Sequence, residues 1–149
     1  MSSQTVVFGD PIQTTNPTET FQLAVAFASC LSPGNLVALH GDLGAGKTVF
    51  AQGIGEGLEL VNRDGVRSPT FAIFDVHEGR HRLVHVDLYR IEEPQEIEAL
   101  GILDLLDDGV VVVEWFERSG GLLGKPDFVI TLAHAKDNPE QRDIVITAG

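Results

Sequence analysis

The length, composition and charge of the chain already exclude several classes of protein. Its 149 residues are 43% hydrophobic and 21% charged, which predicts one globular domain over residues 1–149. The formal net charge is −12 and the ten Lys and Arg residues are scattered, so we expect no direct grip on DNA or tRNA. A single cysteine, together with no membrane-length apolar run and no signal peptide, predicts a cytoplasmic protein without a membrane segment.

The N-terminal part of the chain predicts a short edge strand, Thr5–Phe8, and then a helix. Asn16 is a typical N-cap, Pro17 suits the first helical position, and Glu19 follows the cap by three residues. We expect Cys30 to be a small buried residue of this helix. Its predicted apolar face consists of Phe21, Ala24, Val25, Ala28 and Leu31.

The stretch from Gly41 to Thr48, GDLGAGKT, matches the phosphate-loop pattern G-x-x-x-x-G-K-[ST] at every position. An apolar run of strand length precedes it and helical spacing follows it, which is the context that the pattern requires. In such a loop the glycines let backbone N–H groups converge on an anion, and the helix N-terminus adds positive potential. Lys47 would reach the β- and γ-phosphates, and the Thr48 hydroxyl would bind Mg²⁺. The predicted nucleotide-binding residues of this segment are Gly41, Asp42, Leu43, Gly44, Ala45, Gly46, Lys47, Thr48 and Val49.

The middle of the chain predicts an antiparallel pair of strands. The helix after the loop is expected to fade through its three glycines at 53, 55 and 57, and residues 62–69 are expected to form a loop. The strand-like runs Thr70–Val76 and Arg82–Leu88 are separated by only five residues. A parallel crossover needs a dozen or more residues, so these strands must pair antiparallel.

The last third of the chain predicts a helix, a central strand and a closing hairpin. Glu92–Leu106 is predicted to be helical. Gly109–Trp115 contains four consecutive valines, which is typical of a strand buried on both faces. Phe128–Ala133 and Ile144–Ala148 alternate in polarity around a turn segment and predict a hairpin. The fold class is therefore α/β, a sandwich with parallel core strands and added antiparallel strands.

Two carboxylates and three histidines are candidate site residues. Asp87 and Glu114 each end a predicted strand, where ligands of open α/β sheets bind, and the pattern alone favours Glu114. Either could instead be a solvated charge at a strand end. His77, His81 and His85 are four residues apart, as in a helical zinc site. The glycine turn and β-branched neighbours favour ordinary strand or core histidines over zinc.

Four motifs in order carry a resemblance to one family. They are the phosphate loop, Ser68-Pro69-Thr70-Phe71, His85-Val86-Asp87-Leu88-Tyr89-Arg90 and Glu114-Trp115. Together they resemble TsaE, also called the YjeE family, over essentially the whole chain. The resemblance implies a P-loop NTPase-like three-layer sandwich that binds and slowly hydrolyses ATP with Mg²⁺. It also implies support of the TsaD–TsaB pair, which forms N6-threonylcarbamoyladenosine next to the anticodon of tRNA.

The resemblance assigns roles to the carboxylates and to residues around the phosphate loop. Thr48 and Glu114 fall on the family's metal-binding positions and Asp87 on its Walker-B-like aspartate, so these three are the predicted Mg²⁺ ligands. The predicted catalytic residues are Lys47, Asp87 and Glu114. Thr20 falls in the N-terminal segment near the nucleotide base.

Other residues fall in a loop that the resemblance identifies as switch-like, or depart from the family pattern. Ser68 and Thr70 lie in this predicted switch loop, where their hydroxyls could meet the γ-phosphate or the metal ion. Val49 stands where the family usually repeats the threonine, which removes one hydroxyl near the phosphates.

Two other functions use the same kind of loop. A small-molecule kinase usually needs an arginine-bearing lid, for which Arg63 and Arg67 are the best candidates. A nucleotide-binding adaptor that never hydrolyses ATP would not need both Asp87 and Glu114 beside a triphosphate. We therefore favour an ATPase that acts on a protein partner, whose basic surface the acidic chain would approach.

Overall fold

The computed structural model describes residues 5–42, 44–61 and 73–149, and its strands form one mixed sheet with helices on both faces. The strands are β1 (Ile12–Thr14), β2 (Leu36–Gly41), β3 (Phe74–His77), β4 (Leu83–Asp87), β5 (Val110–Glu114), β6 (Phe128–His134) and β7 (Arg142–Ala148). The helices are α1 (Pro17–Ala28), α2 (Lys47–Gly57) and α3 (Gln95–Ala99), with 3₁₀ helices at Ile102–Leu105 and Phe116–Ser119. None of these helices is long and apolar enough to cross a membrane.

The sheet has a parallel centre and antiparallel additions. Its strand order is β1-β7-β6-β2-β5-β4-β3. β2 runs parallel to both β5 and β6, and β4 runs parallel to β5. β1 and β7 extend one side and β3 the other, all by antiparallel pairing, so both predicted hairpins are confirmed. The predicted P-loop NTPase-like α/β fold is confirmed, and the carboxyl ends of β2, β4 and β5 lie at one edge.

The central strand β5 is buried on both faces, as its four valines predict. Val110 and Val112 belong to the core under α1 and α2, whereas Val111 and Val113 belong to the core on the opposite face. All four side chains are fully buried. This strand lies between β2 and β4, so it fixes the distance between the elements that carry the candidate site residues.

The start of α1 matches its prediction, but its buried face is shifted. The Asn16 side chain accepts a hydrogen bond of 2.9 Å from the Glu19 N–H, and Pro17 is the first helical residue. The predicted face members Phe21 and Val25 are only partly buried. The helical residues that are fully buried and apolar are Leu23, Ala24, Phe27 and Ala28.

The helix after the phosphate loop does not fade at its glycines. α2 continues to Gly57 and packs closely along α1. A Cβ atom added to Gly53 would lie 2.5 Å from Cβ of Ala24, and one added to Gly57 would overlap Ala28 in the same way. These glycines therefore serve close helix–helix approach, which a local propensity argument does not anticipate.

Two further predictions near the N-terminus are wrong. Thr5–Phe8 does not form the edge strand, because only Phe8 makes an isolated bridge, to Ile146, and the edge is β1. Cys30 is exposed rather than buried, because α1 ends two residues before it.

The predicted helix Glu92–Leu106 is divided into two short pieces. The chain turns at Gly101, whose φ is +75°, between α3 and the 3₁₀ helix that begins at Ile102. Ile97 and Ile102 are fully buried against the sheet, so each piece contributes an apolar anchor to the second core. The helical character of this segment was predicted, but not its interruption.

Candidate functional site

A cleft of about 420 Å³ opens where β2, β4 and β5 end. It brings the phosphate loop and the start of α2 together with both predicted carboxylates. Tyr89 and Trp115, which belong to the sequence motifs but were not predicted as site residues, complete the cleft. The lining residues are Gly44, Gly46, Lys47, Thr48, Val49, Asp87, Tyr89, Glu114 and Trp115.

The phosphate loop leaves the end of β2 and turns sharply into α2. Gly41 is the last residue of β2, and Ala45 N–H donates a hydrogen bond of 2.9 Å to the carbonyl of Asp42. Gly46 precedes the helix with φ +102°, a conformation that a residue with a side chain rarely adopts. Leu43 lies outside the described residues. The turn places the N-terminus of α2 at the cleft, as an anion site requires.

Lys47 is the first residue of α2, and its side chain is held inside the cleft. It is only 7% exposed, and its Nζ lies 4.5 Å from the centre of the Trp115 ring, a cation–π contact. Trp115 follows β5 with φ +59°, which is uncommon outside glycine, and this turn places its ring over the loop. The Tyr89 ring packs against the Trp115 ring, and the two ring centres are 5.1 Å apart. Trp115 directly follows Glu114 in sequence, and Tyr89 follows Asp87 by two residues. This closeness to the predicted carboxylates was the signal that could have predicted both rings.

The two predicted carboxylates are direct neighbours across the sheet. Asp87 ends β4, Glu114 ends β5, and the parallel register pairs them with each other. Glu114 is 4% exposed, and its Oε2 forms a hydrogen bond of 2.7 Å with Nε2 of His85. His85 is fully buried, and the sequence favoured it as an ordinary strand or core histidine rather than a zinc ligand. It fixes the direction of the Glu114 side chain.

The protonation of Asp87 is shifted by its surroundings. Burial raises the pKa of Asp87, and the nearby Glu114 carboxylate raises it further. A 3.0 Å hydrogen bond from the Tyr89 N–H to Oδ1, with the charges of His85 and Lys47, acts in the opposite direction. A half-buried carboxylate beside an almost fully buried one favours a bound cation, because a positive charge relieves their repulsion.

The oxygen atoms at this edge suit Mg²⁺. The Thr48 hydroxyl and the carboxylates of Asp87 and Glu114 line the same cleft, and Mg²⁺ prefers oxygen ligands. Among the described residues no group of three or more His, Cys, Asp or Glu side chains surrounds one point. The protein would therefore supply part of the coordination, and phosphate oxygens and water the rest, as is usual for Mg²⁺–nucleotide sites.

The remaining predicted residues lie beside the cleft or outside the described part of the chain. Thr20 is buried in α1, with its hydroxyl 2.7 Å from that of Thr14, and packs next to Gly46 rather than lining the cleft. Ser68 and Thr70, in the predicted switch loop, lie outside the described residues.

The three spaced histidines lie on a hairpin, not on one helix face. His77 belongs to β3 and His85 to β4, with His81 in the connection between them. The interpretation of these residues as strand histidines is therefore confirmed for His77 and His85.

The parallel core, the phosphate loop after β2 and the carboxylate-bearing neighbouring strands define a fold of the P-loop NTPase class. A family model described as "Threonylcarbamoyl adenosine biosynthesis protein TsaE" matches residues 14–144, and the chain belongs to this TsaE family.

Individual relatives agree with this assignment. The chain is 38% identical over 138 residues to the tRNA threonylcarbamoyladenosine biosynthesis protein TsaE of Bacillus subtilis, covering 91% of this chain and 84% of that protein. It is 36% identical over 126 residues to the protein of the same name from Rickettsia bellii, covering 80% and 83%. A crystal structure of Bacillus subtilis YdiB matches with a TM-score of 0.71 and 32% identity, covering 93% of this chain and 85% of that one. The resemblance stated from the motifs is thereby confirmed.

Proposed function

We propose that this chain is a Mg²⁺-dependent ATPase that supports a TsaD–TsaB pair in forming N6-threonylcarbamoyladenosine next to the anticodon of tRNA. The observation that carries the proposal is the single cleft in which a phosphate loop faces two paired carboxylates. Membership of the TsaE family, whose relatives are named for this modification pathway, supports the process. In the described part of the chain all seven strands join one sheet, which supports residues 1–149 acting as one P-loop domain. The cytoplasm is the compartment that the proposed pathway implies.

The loop side of the cleft would bind the phosphates. Backbone N–H groups at the start of α2 would face the phosphates, and Lys47 adds a full positive charge. Because Lys47 is held against Trp115, its charge is preorganised rather than gained from a mobile surface side chain. This arrangement stabilises the negative charge that develops on the transferred phosphoryl group.

The carboxylate side would supply the metal ligands and orient water. Thr48, Glu114 and Asp87 would hold Mg²⁺, which when bound neutralises charge on the phosphate oxygens. His85 keeps Glu114 pointed in one direction. We propose that one carboxylate of the pair also accepts a hydrogen bond from the attacking water.

Phosphate release tests this function directly. We expect slow release from Mg²⁺–ATP by the chain alone and faster release when the TsaD–TsaB pair is added. Lys47→Ala should abolish both activities, whereas Lys136→Ala, at an exposed lysine of the β6–β7 connection, should keep them.

Other outcomes would favour the alternatives. A small-molecule kinase would transfer the phosphoryl group to an acceptor from a metabolite mixture and would not respond to the pair. ATP binding without release in either mixture would indicate an adaptor. Either result would overturn the proposal.

A further inference from the structure

Arg142 connects the end of the chain to the phosphate loop, about a hundred residues earlier in sequence. Its Nε donates a hydrogen bond of 2.9 Å to the carbonyl of Ala45, and its Nη2 one of 3.3 Å to the carbonyl of Gly44. The guanidinium therefore contacts the backbone of the loop rather than a carboxylate.

The Arg142 side chain is itself held in place. Its Nη1 donates to the carbonyls of Pro139 and Gln141, at 2.6 and 2.9 Å, in the turn between β6 and β7. The backbone of Arg142 pairs with Thr14 of β1 on one side and with His134 of β6 on the other. Four hydrogen bonds and two neighbouring strands thus fix a planar group that arginine, but not lysine, presents as a rigid fork.

The carbonyls that Arg142 contacts are those that a phosphate loop must direct away from its ligand. A loop binds an anion when its N–H groups point inward, and the carbonyls of the same peptide units then point outward. Outward carbonyls without partners would let these peptide units rotate. A rotated unit would direct a partially negative oxygen at the phosphates. The hydrogen bond to the Ala45 carbonyl opposes that rotation in the peptide unit that carries the Gly46 N–H. The hydrogen bond to the Gly44 carbonyl reinforces the preceding unit, whose Ala45 N–H already donates to the Asp42 carbonyl.

We propose that Arg142 is a positioning residue that keeps the phosphate loop in its anion-binding conformation through hydrogen bonds to the loop carbonyls. The proposal rests on the proposed nucleotide-binding function of the loop. It assigns the closing hairpin a role in the site, although none of its residues lines the cleft. Arg142 acts through the loop backbone and not by contact with the nucleotide.

The test compares Arg142→Met and Arg142→Lys with the control Arg82→Met. Arg82 is another half-buried arginine, but its side chain pairs with Glu78 in the connection between β3 and β4. Affinity is measured by calorimetry with ADP and with a non-hydrolysable ATP analogue. The order of the loop is measured by amide hydrogen exchange of residues 44–47 without nucleotide. Thermal unfolding measures the stability of each variant. We expect Arg142→Met to weaken both ligands about tenfold, in line with the loss of charge-assisted hydrogen bonds, and to speed loop exchange. Arg142→Lys should recover only part of the affinity, and Arg82→Met should match the wild type.

The outcomes separate position from charge. Wild-type affinity and loop exchange in Arg142→Met would overturn the inference. Full recovery by Arg142→Lys, with a loss that disappears at high salt, would also overturn it, because the effect would then be long-range attraction of the anion. Failure of the wild type to bind nucleotide would refute the proposed function instead, and loop exchange would still decide whether Arg142 orders the loop.

Discussion

The two sides of the cleft are built in different ways. The phosphate loop is one continuous segment, and it acts mainly through its backbone and the N-terminus of α2. The carboxylate side consists of Asp87 and Glu114, which are distant in sequence and meet because β4 and β5 pair in parallel register. The loop side offers positive potential and the opposite side negative charge. This division suggests that the loop determines nucleotide affinity, whereas the carboxylates determine turnover.

The largest expected effect comes from Lys47→Ala, which removes the one full positive charge among the described side chains that line the cleft. Nucleotide affinity should fall about 100-fold or more, because charge-assisted contacts to phosphate are lost. The fold should remain, since the substitution also removes a desolvated charge from beneath Trp115. Calorimetry measures affinity, and circular dichroism checks the fold.

Lys136→Ala serves as the matched control at an exposed position. A folded Lys47→Ala protein that binds ATP as tightly as the wild type would contradict the assignment of affinity to the loop side.

Glu114→Gln should separate turnover from binding. Gln keeps the size of the side chain and a hydrogen bond to His85, but it removes the charge that is proposed to lie beside Mg²⁺ and the attacking water. Phosphate release should fall by roughly 100- to 1000-fold, with affinity changed only a few fold, because preorganised charge matters most in the transition state.

Glu98→Gln, on the exposed side of α3, should release phosphate at the wild-type rate. If Glu114→Gln weakened binding as much as turnover, the division between the two sides of the cleft would be wrong.

The same contrast explains what the sequence could predict. The loop was found from local spacing, because eight consecutive residues carry both its turns and its charge. Asp87 and Glu114 were found because each ends an apolar strand, although their direct pairing depends on strand order. Arg142 gave no local signal: it contacts the loop from about a hundred residues away, through an antiparallel strand whose neighbours only the fold defines.

Packing explains the errors in the predicted elements. Helix propensity predicts fading at Gly53 because it counts only the helix itself, whereas the structure uses the missing side chain for contact with α1. The segment Glu92–Leu106 was correctly predicted to contain helical structure, but the turn at Gly101 was not predicted.

His85→Ala and His85→Gln test how Glu114 is held. Alanine removes the 2.7 Å hydrogen bond to Glu114 and leaves space beside a buried carboxylate. Turnover should fall about tenfold and the melting temperature should drop, because a buried acceptor loses a partner. His85→Gln can still donate to the carboxylate and should recover much of the turnover, while affinity stays close to the wild type in both variants.

The exposed residue His134 provides the control substitution, His134→Gln. Equal turnover of His85→Ala and wild type would show that Glu114 keeps its position without this contact. A loss of melting temperature with unchanged turnover would assign His85 to stability alone.

The smallest expected effect concerns stability, and it appears in Asp87→Asn measured without nucleotide. Burial raises the pKa of Asp87, so the folded protein favours the protonated side chain. The stability that this protonation provides is fully present below the pKa of an unfolded aspartate, about pH 4, and is lost as the pH rises through the higher folded value. Above that window the wild type carries an ionised, half-buried carboxylate beside Glu114, whereas asparagine is neutral at every pH. Asp87→Asn should therefore melt slightly above the wild type at neutral pH, and the difference should shrink as the pH falls through the window.

The control Asp107→Asn, at an exposed position, should show a much smaller dependence on pH. Adding Mg²⁺ and ATP should reverse the order, because only the wild type gains the full metal interaction. An Asp87→Asn protein that is less stable than the wild type at neutral pH without nucleotide would show that Asp87 stabilises the fold. The carboxylate side would then be a structural ion cluster and not a strained, functional one.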